Sequence, residues 1–472
     1  MAIAFTLLVL VFLGWSIKKG FNAPVVLALC GAALFAYARF TGVPGMVEIK
    51  PDNLGLFYFE KLNAIFSSRL AGLGLLIMSA GGFSAYMTHI GAIDVLIDLA
   101  LNPLKRLASP YVVGAGVFII GNFLQMFITS AAGLGILLMA MAFPVLRKLG
   151  LSVGSSAGFV VMTGVSEFGP TQANAIFAAE QAKMAVLDYV IQYQAIVVGL
   201  GLLVTSVVAI FWFKFLDARA PNPDATAAVV EAVATQDPLP KASTASTAPS
   251  ALTAPTAPMV PKYYALLTLM PLALLLVFSK YTGSTYDMPL FVAILMSVCI
   301  AMAVEFARKI SQFREVTDGY TVFVDGMSRM LGVVALIVSA EFFAQGLLST
   351  KTIDAMLTGM QSADLGSVMV LIVSSLLIIT ASILTGSGNA SFLSLGSLAP
   401  TIASQMGVST VALVLPMQLC SSIARAMSPI SAVVIGVAGI AKISPFALVK
   451  RSVVPLAAYI VVVLVYTSLF VL

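Results

Sequence analysis

Charge is scarce in this chain. Asp, Glu, Lys and Arg make up 10% of its 472 residues, while 60% are hydrophobic. A soluble domain needs about 25% charged residues to cover its surface, so a protein facing water on all sides is excluded. There is one histidine, His89, which cannot build a metal cluster. The three cysteines, Cys30, Cys299 and Cys420, lie far apart in apolar runs. That spacing excludes a disulfide framework or a zinc site, and all three read as buried small hydrophobes. No HExxH, GxSxG or Walker A pattern occurs, nor a GxGxxG pattern in a strand context. No nucleophile–base pair or paired-aspartate motif suggests an intramembrane enzyme, and no metal or cofactor is expected.

What is present is apolar sequence in long runs. Residues 2–16, 22–37, 70–88, 191–213, 264–279, 289–304, 331–348 and 453–472 approach or exceed the ~20 residues that cross a bilayer. The fold class is therefore an all-α polytopic membrane protein. A β-barrel would read as alternating strands of ~10 residues. The N-terminal run has no basic residues ahead of it and no clear cleavage site, so it reads as a first span and not as a signal peptide. Orientation in the membrane accounts for the net charge of +5 without a nucleic-acid partner.

Residues 217–262 break the pattern. They are rich in Ala, Pro, Ser and Thr and lack aromatics, which reads as a flexible linker. The flanking halves, 1–216 and 263–472, resemble each other. Ser79, Ala80, Phe83, Ile93 and Asp94 recur 260 residues later as Ser339, Ala340, Phe343, Ile353 and Asp354. Thr129 and Pro144 match Thr385 and Pro400; Gly150 and Ser152 match Gly407 and Ser409; Pro170, Ala182 and Lys183 match Pro429, Ala441 and Lys442. This ordered series indicates a duplication.

Lys and Arg favour cytoplasmic loops. Lys18, Lys19, Lys105, Arg106, Arg147, Lys148, Lys214 and Arg219 in the first half, and Arg308, Lys309, Arg314, Lys442, Lys450 and Arg451 in the second, fall on one side if both termini are periplasmic and the linker cytoplasmic. An outside loop over 46–69 would then carry charges of both signs. Five crossings per half would invert the second half relative to the first, an arrangement common in secondary transporters.

Within each half, one segment is too short and too polar to be an ordinary span. Re-entrant hairpins are expected over about 110–148 and about 366–403, the second with the polar tip TGSGNAS (Thr385 to Ser391). Interrupted helices follow, over about 153–180 with Gly164, Gly169 and Pro170, and over about 410–438 with Arg425 and Pro429. Proline removes a backbone donor and breaks a helix. Irregular backbone at membrane depth is tolerated where it lines a cavity. Helix N-termini there suit a carboxylate and freed carbonyls suit a cation, while Gly386 and Gly388 allow close backbone approach. The plainer reading of such small residues is tight helix packing.

Arg425 is the sharpest single residue, because a charge at this depth is costly unless paired. It could fork a substrate carboxylate or form a structural pair with Glu167 or Glu341. Those two acids are the coupling candidates, for H+ or Na+. His89 reads as an interfacial cap, and Asp94 and Asp354 as N-caps of amphipathic arms.

GGFSAYMTHIGA at 81–92, SAAGLGILLMA at 130–140, TGSGNASF at 385–392 and RAMSPISAVVIGVAGIAKISPFALVKRSVVP at 425–455 resemble the anaerobic C4-dicarboxylate carrier family of the DcuC type, in the ion transporter superfamily. The resemblance covers nearly the whole chain apart from the linker. It implies a multi-pass bacterial inner-membrane carrier for succinate, fumarate and malate, working by exchange, efflux or ion coupling. It also implies elevator-type inverted repeats and a homodimer. Carried over by motif, it implies substrate contacts at Thr129, Ser130, Gly133, Pro170 and Thr171, and at Thr385, Ser387, Asn389, Arg425 and Ser428.

Three positions depart from that pattern. Glu167 stands where a small or apolar residue is implied, Asn174 where an acid is implied, and Glu341 where a small residue is implied. Acid beside the site would repel a plain dianion unless protonated or paired. An amino dicarboxylate such as aspartate, or another organic anion, is therefore the alternative substrate. Polar clusters confined to mid-depth argue against a channel-like pathway.

Overall fold

The structure is a computed structural model that describes residues 2–19, 21–41, 54–107, 109–219, 260–309, 313–351 and 366–472. Most of the expected linker, and Asp354, lie outside the described residues. Every regular element among the described residues is helical, because a backbone in lipid must satisfy its own N–H and C=O groups. Among the described residues, seven helices are long and apolar enough to cross a membrane: Ala23–Phe40, Leu56–His89, Val186–Ala218, Leu290–Arg308, Arg314–Ser349, Ser367–Thr385 and Pro445–Phe470. The chain is a multi-span α-helical membrane protein.

The helices fall into two groups. The first is built on two long helices. Leu54–Arg69 passes through a wide turn, Leu70–Gly74, into Leu75–His89. Phe313–Arg329 passes Met330 into Leu331–Ser349. Leu75–His89 packs on Phe313–Arg329, and Leu54–Arg69 packs on Leu331–Ser349, so the two run antiparallel. Glycine sets their separation: a Cβ on Gly82 would stand 2.7 Å from the Phe323 carbonyl oxygen. Ala23–Phe40 packs along Leu331–Ser349, and Leu290–Arg308 against Leu75–His89.

The described part of the loop expected over 46–69 is helical from Leu54. Ile65 is buried with Phe35, Val334, Val338 and Phe342, and Phe57, Leu62 and Phe66 pack against that cluster. Their spacing of three to five residues makes one apolar face, so Glu60, Lys61 and Arg69 ride on a helix and not in a loop.

The second group holds the remaining long helices, Val186–Ala218, Ser367–Thr385 and Pro445–Phe470, with the shorter hairpin arms and the broken helices. Val186–Ala218 packs along Pro445–Phe470. These two also run antiparallel: Asp217 meets Arg451 at 2.9 Å, while Gly201 lies under the Tyr459 ring. The order of elements recurs in the two halves, and so do details of backbone. Lys183 (φ 53°) and Lys442 (φ 52°) both adopt the left-handed conformation at helix ends. Gly150 and Gly407, also left-handed, each stand two residues before a capping serine, Ser152 and Ser409.

Two expectations are corrected. Gly91, at φ 74°, occupies the cap of Ala92–Leu101, and Asp94 lies in the first turn beyond it. Cys299 is exposed, whereas Cys30 and Cys420 are buried. Leu290–Arg308 is buried on one side only, and Cys299 lies on its other, apolar face. His89 ends Leu75–His89 and is exposed.

Candidate functional site

Each hairpin turns on a serine cap. Pro110–Leu124 leads into a tip, and Ser130 Oγ then accepts the Gly133 amide at 3.1 Å to start Ala131–Met141. Ser367–Thr385 turns at Gly386 (φ 70°), and Ser387 Oγ accepts the Ala390 amide at 3.2 Å to start Gly388–Leu395. The capping residues are thus Ser130 and Ser387, one position out of step with the Thr129–Thr385 match, because Gly386 stands between Thr385 and Ser387 where Thr129 and Ser130 are adjacent. Thr385 closes that short tip by accepting the Ser387 amide at 3.2 Å. A Cβ on Gly386 would stand 3.0 Å from the Ile430 carbonyl, and one on Gly388 2.6 Å from that of Ser421. Both glycines press the hairpin onto the second broken helix. Ser428 belongs to the same contact and donates to the Ile383 carbonyl at 2.7 Å.

The first broken helix stops at Val161 and resumes at Ala173. Asn122, on the first hairpin, holds the unwound stretch open. Its Oδ1 accepts the amides of Val165 and Ser166, both at 3.1 Å, and its Nδ2 donates to the Met162 carbonyl at 3.2 Å. Gln194 Oε1 accepts the Gly169 amide at 3.0 Å. Thr171 donates to the Met126 carbonyl and Gln172 to that of Gln125, tying the stretch to the first hairpin tip. Pro170 is buried within it. The second broken helix pauses between Arg425 and Ala432.

The two breaks meet at a salt bridge between Arg425 and Glu167. Arg425 Nη2 also donates to the Gly164 carbonyl at 2.9 Å, and its Nε is buried without a partner. Glu167 is 4% exposed and adopts φ 39°, a conformation uncommon for a residue with a side chain. Its carboxylate receives Asn174 Nδ2 and Ser422 Oγ, the latter at 3.2 Å. Asn389, with its amide turned so that nitrogen faces the acid, lies 3.0 and 3.1 Å from the two carboxylate oxygens. Gln418 Nε2 donates to the Glu167 carbonyl at 3.2 Å and is itself held by Tyr189 at 2.7 Å. Four side chains from both halves, Arg425, Asn174, Ser422 and Asn389, thus converge on one carboxylate.

Beside it is a cavity of about 70 Å³ lined by Thr129, Glu167, Thr171, Gln172, Ala173 and Asn389, with Ile77, Met330 and Val333 from the long helices. The cavity therefore sits where the two helix groups meet. Of the residues expected at the site, Thr129, Thr171 and Asn389 line it. Asn174 and Arg425 lie one contact behind Glu167, while Thr385, Gly386, Ser387 and Gly388 build the second hairpin and Ser428, in the second broken helix, holds it from outside. Ser130 is exposed at its cap, with Gly133 beside it. Glu341 lies elsewhere, paired with Arg69. Gln172, Ile77, Met330 and Val333 escaped sequence reasoning.

The family model described as C4-dicarboxylate anaerobic carrier, DcuC, matches residues 1–472. The chain belongs to the DcuC family. This is a family of carriers, so the chain is a transporter and not an enzyme. The probable anaerobic C4-dicarboxylate transporter DcuC of Vibrio cholerae is 30% identical over 462 residues, 97% of this chain and 95% of the relative. The anaerobic C4-dicarboxylate transporter DcuC of Escherichia coli is 30% identical over 458 residues, 96% and 94% of the two chains. Two solved structures share the fold of this DcuC-family chain. The YdaH transporter of Alcanivorax borkumensis has a TM-score of 0.60 at 16% identity and covers 94% of this chain and 97% of its own. MtrF of Neisseria gonorrhoeae, described as illuminating a class of antimetabolite efflux pumps, has a TM-score of 0.62 at 12% identity and covers 95% of each chain.

Proposed function

We propose that the protein is a secondary carrier of small dicarboxylates of the succinate, fumarate and malate class across the bacterial inner membrane. The observation that carries this reading is Arg425. It is a guanidinium on a side chain only 12% exposed, with a buried and unused Nε–H, one residue behind a polar cavity lined by Thr129, Thr171 and Asn389. A guanidinium matches a carboxylate in charge and in fork geometry. The second carboxylate of a four-carbon ligand would meet the hydroxyls and amide of the cavity wall. The family match points to the same substrate class.

Glu167 decides how the ligand reaches Arg425. A dianion competes with Glu167 for the guanidinium, so it binds when Glu167 is released or protonated. An amino dicarboxylate such as aspartate would instead offer Glu167 an ammonium group, and this is the alternative substrate that the pair favours.

Transport follows from movement of the hairpin and broken-helix group against the long-helix group, with the cavity at their boundary. Antiparallel packing of matching helices supports an inverted repeat: the two long helices, and Val186–Ala218 with Pro445–Phe470. The end that gathers Arg147, Arg219 and Arg451 near Asp217 would face the cytoplasm along with the linker. The long-helix group would hold a homodimer. Uptake of labelled succinate into proteoliposomes, with C4, C5 and amino dicarboxylates as competitors, tests the reading; absence of uptake and of competition by all of them would contradict it.

A further inference from the structure

A second charged cluster crosses the boundary between the helix groups, away from Arg425. Arg69 ends the first half of one long helix, Glu341 lies inside the other, and Glu180 occupies the last turn of Ala173–Gln181 in the first broken helix. Arg69 Nη1 pairs with Glu180, and Arg69 Nε pairs with Glu341. Gln345 Nε2 donates to Glu341 at 3.1 Å. The Glu180 side chain is 37% exposed as a whole, but its Oε2 is turned inward, shut away from water with no hydrogen-bond partner. Two carboxylates therefore share one guanidinium, and the cluster is one positive charge short.

Among the described residues, no charge on the elements packed against Ala173–Gln181 makes up the deficit. Among the elements packed on Ala173–Gln181, Thr410–Arg425 brings only Arg425, which is bound to Glu167. Leu75–His89 brings only His89, at its far end beside Tyr86. Val186–Tyr189 brings Asp188, held by Lys280 at 2.7 Å. Gly388–Leu395, the turn at Gly396–Leu398 and the wide turn at Leu70–Gly74 carry no charge. Lys183, three residues beyond Glu180, is exposed.

We propose that Glu180 is a proton-binding latch. When ionised it clamps the broken helix to the long helices through Arg69; when protonated it lets go. The inference rests on the reading that the two helix groups move past each other. Arg69 and Glu341 both belong to the long helices and would stay behind as a neutral pair. Glu180 would leave with the moving group, and a bare carboxylate crossing a low-dielectric boundary is strongly disfavoured. A proton on Glu180 makes the departing side chain neutral, so one proton travels with each movement. Glu341 opposes the latch by competing for the same guanidinium.

The two acids therefore have opposite effects. Hydrogen exchange of Ala173–Gln181, followed in the purified full chain at one neutral pH, should be roughly tenfold faster in Glu180→Gln and slower than wild type in Glu341→Gln. Glu180→Asp, which keeps the charge, should return toward the wild-type rate. In proteoliposomes, Glu180→Gln should still move succinate but lose the dependence of uptake on the proton gradient, which a merely structural ion pair would leave intact. Equal exchange in both Gln variants, or a Glu180→Gln protein that remains proton-dependent, overturns the latch. If the wild-type protein moves no dicarboxylate, the transport reading fails, and the exchange order of the variants still decides the latch.

Discussion

Arg425 and Glu167, 258 residues apart in sequence, form a salt bridge that joins the interruptions of the two broken helices. Each charge is the main partner of the other in a place with little water. Removing one leaves the other buried and uncompensated, which costs about 3–5 kcal/mol. Arg425→Ala should therefore destabilise the protein strongly and abolish dicarboxylate binding. The double variant Arg425→Ala with Glu167→Gln should recover much of the stability and none of the binding. Thermal unfolding in detergent alongside succinate binding separates the two effects; succinate binding in the stable double variant would remove Arg425 from the site.

Glu167→Gln alone identifies the class of ligand. With the competing carboxylate gone, Arg425 is free for a dianion, and succinate affinity should rise by about tenfold, roughly 1.4 kcal/mol. Aspartate affinity should fall if its ammonium group pairs with Glu167. Isothermal titration with both ligands gives opposite signs if the competition is real, and unchanged values for both would show that Glu167 does not govern access.

The second hairpin separates residues that touch the cavity from residues that build it. Asn389 lines the cavity, whereas Ser428 holds the Ile383 carbonyl. Asn389→Ala should weaken succinate binding with a small change in stability. Ser428→Ala should lower stability by about 1 kcal/mol and leave affinity near wild type. Binding and melting measured on the same preparations test the division.

Close packing of the second hairpin makes a further prediction. A Cβ at Gly388 would meet the Ser421 carbonyl at 2.6 Å, so Gly388→Ala should destabilise by about 1–3 kcal/mol. Nothing lies within 4 Å of a Cβ at Gly439, and Gly439→Ala should be neutral or slightly stabilising. Equal melting temperatures for the two variants would contradict the packing.

The breaks in the helices were legible because they are written locally, whereas the cap expected at Asp94 belongs to Gly91. Ser130, Ser152, Ser387 and Ser409 cap helices, and Gly164, Gly169, Pro170 and Pro429 lie where helices stop. The Arg425–Glu167 pair was legible as one of two options, since a lone buried arginine needs an acid and few acids exist in the apolar runs. The role of Asn122 was not legible: an amide inside an apolar helix gives no local sign that it will hold a stretch forty residues away. Arg69 read as a loop residue because the charges before it hid a helix whose apolar face shows only against Phe35 and Phe342. Its pairing with Glu180 and Glu341 depends on three helices meeting, and no spacing within any one of them encodes that meeting.

The central claim is that Arg425 and the cavity beside it bind a small dicarboxylate for transport. Uptake of labelled succinate into proteoliposomes containing wild-type protein or the double variant Arg425→Ala with Glu167→Gln tests it most directly. Saturable uptake by the wild type, blocked by fumarate and malate and absent from the folded double variant, is the predicted result. Equal uptake by both proteins would contradict it.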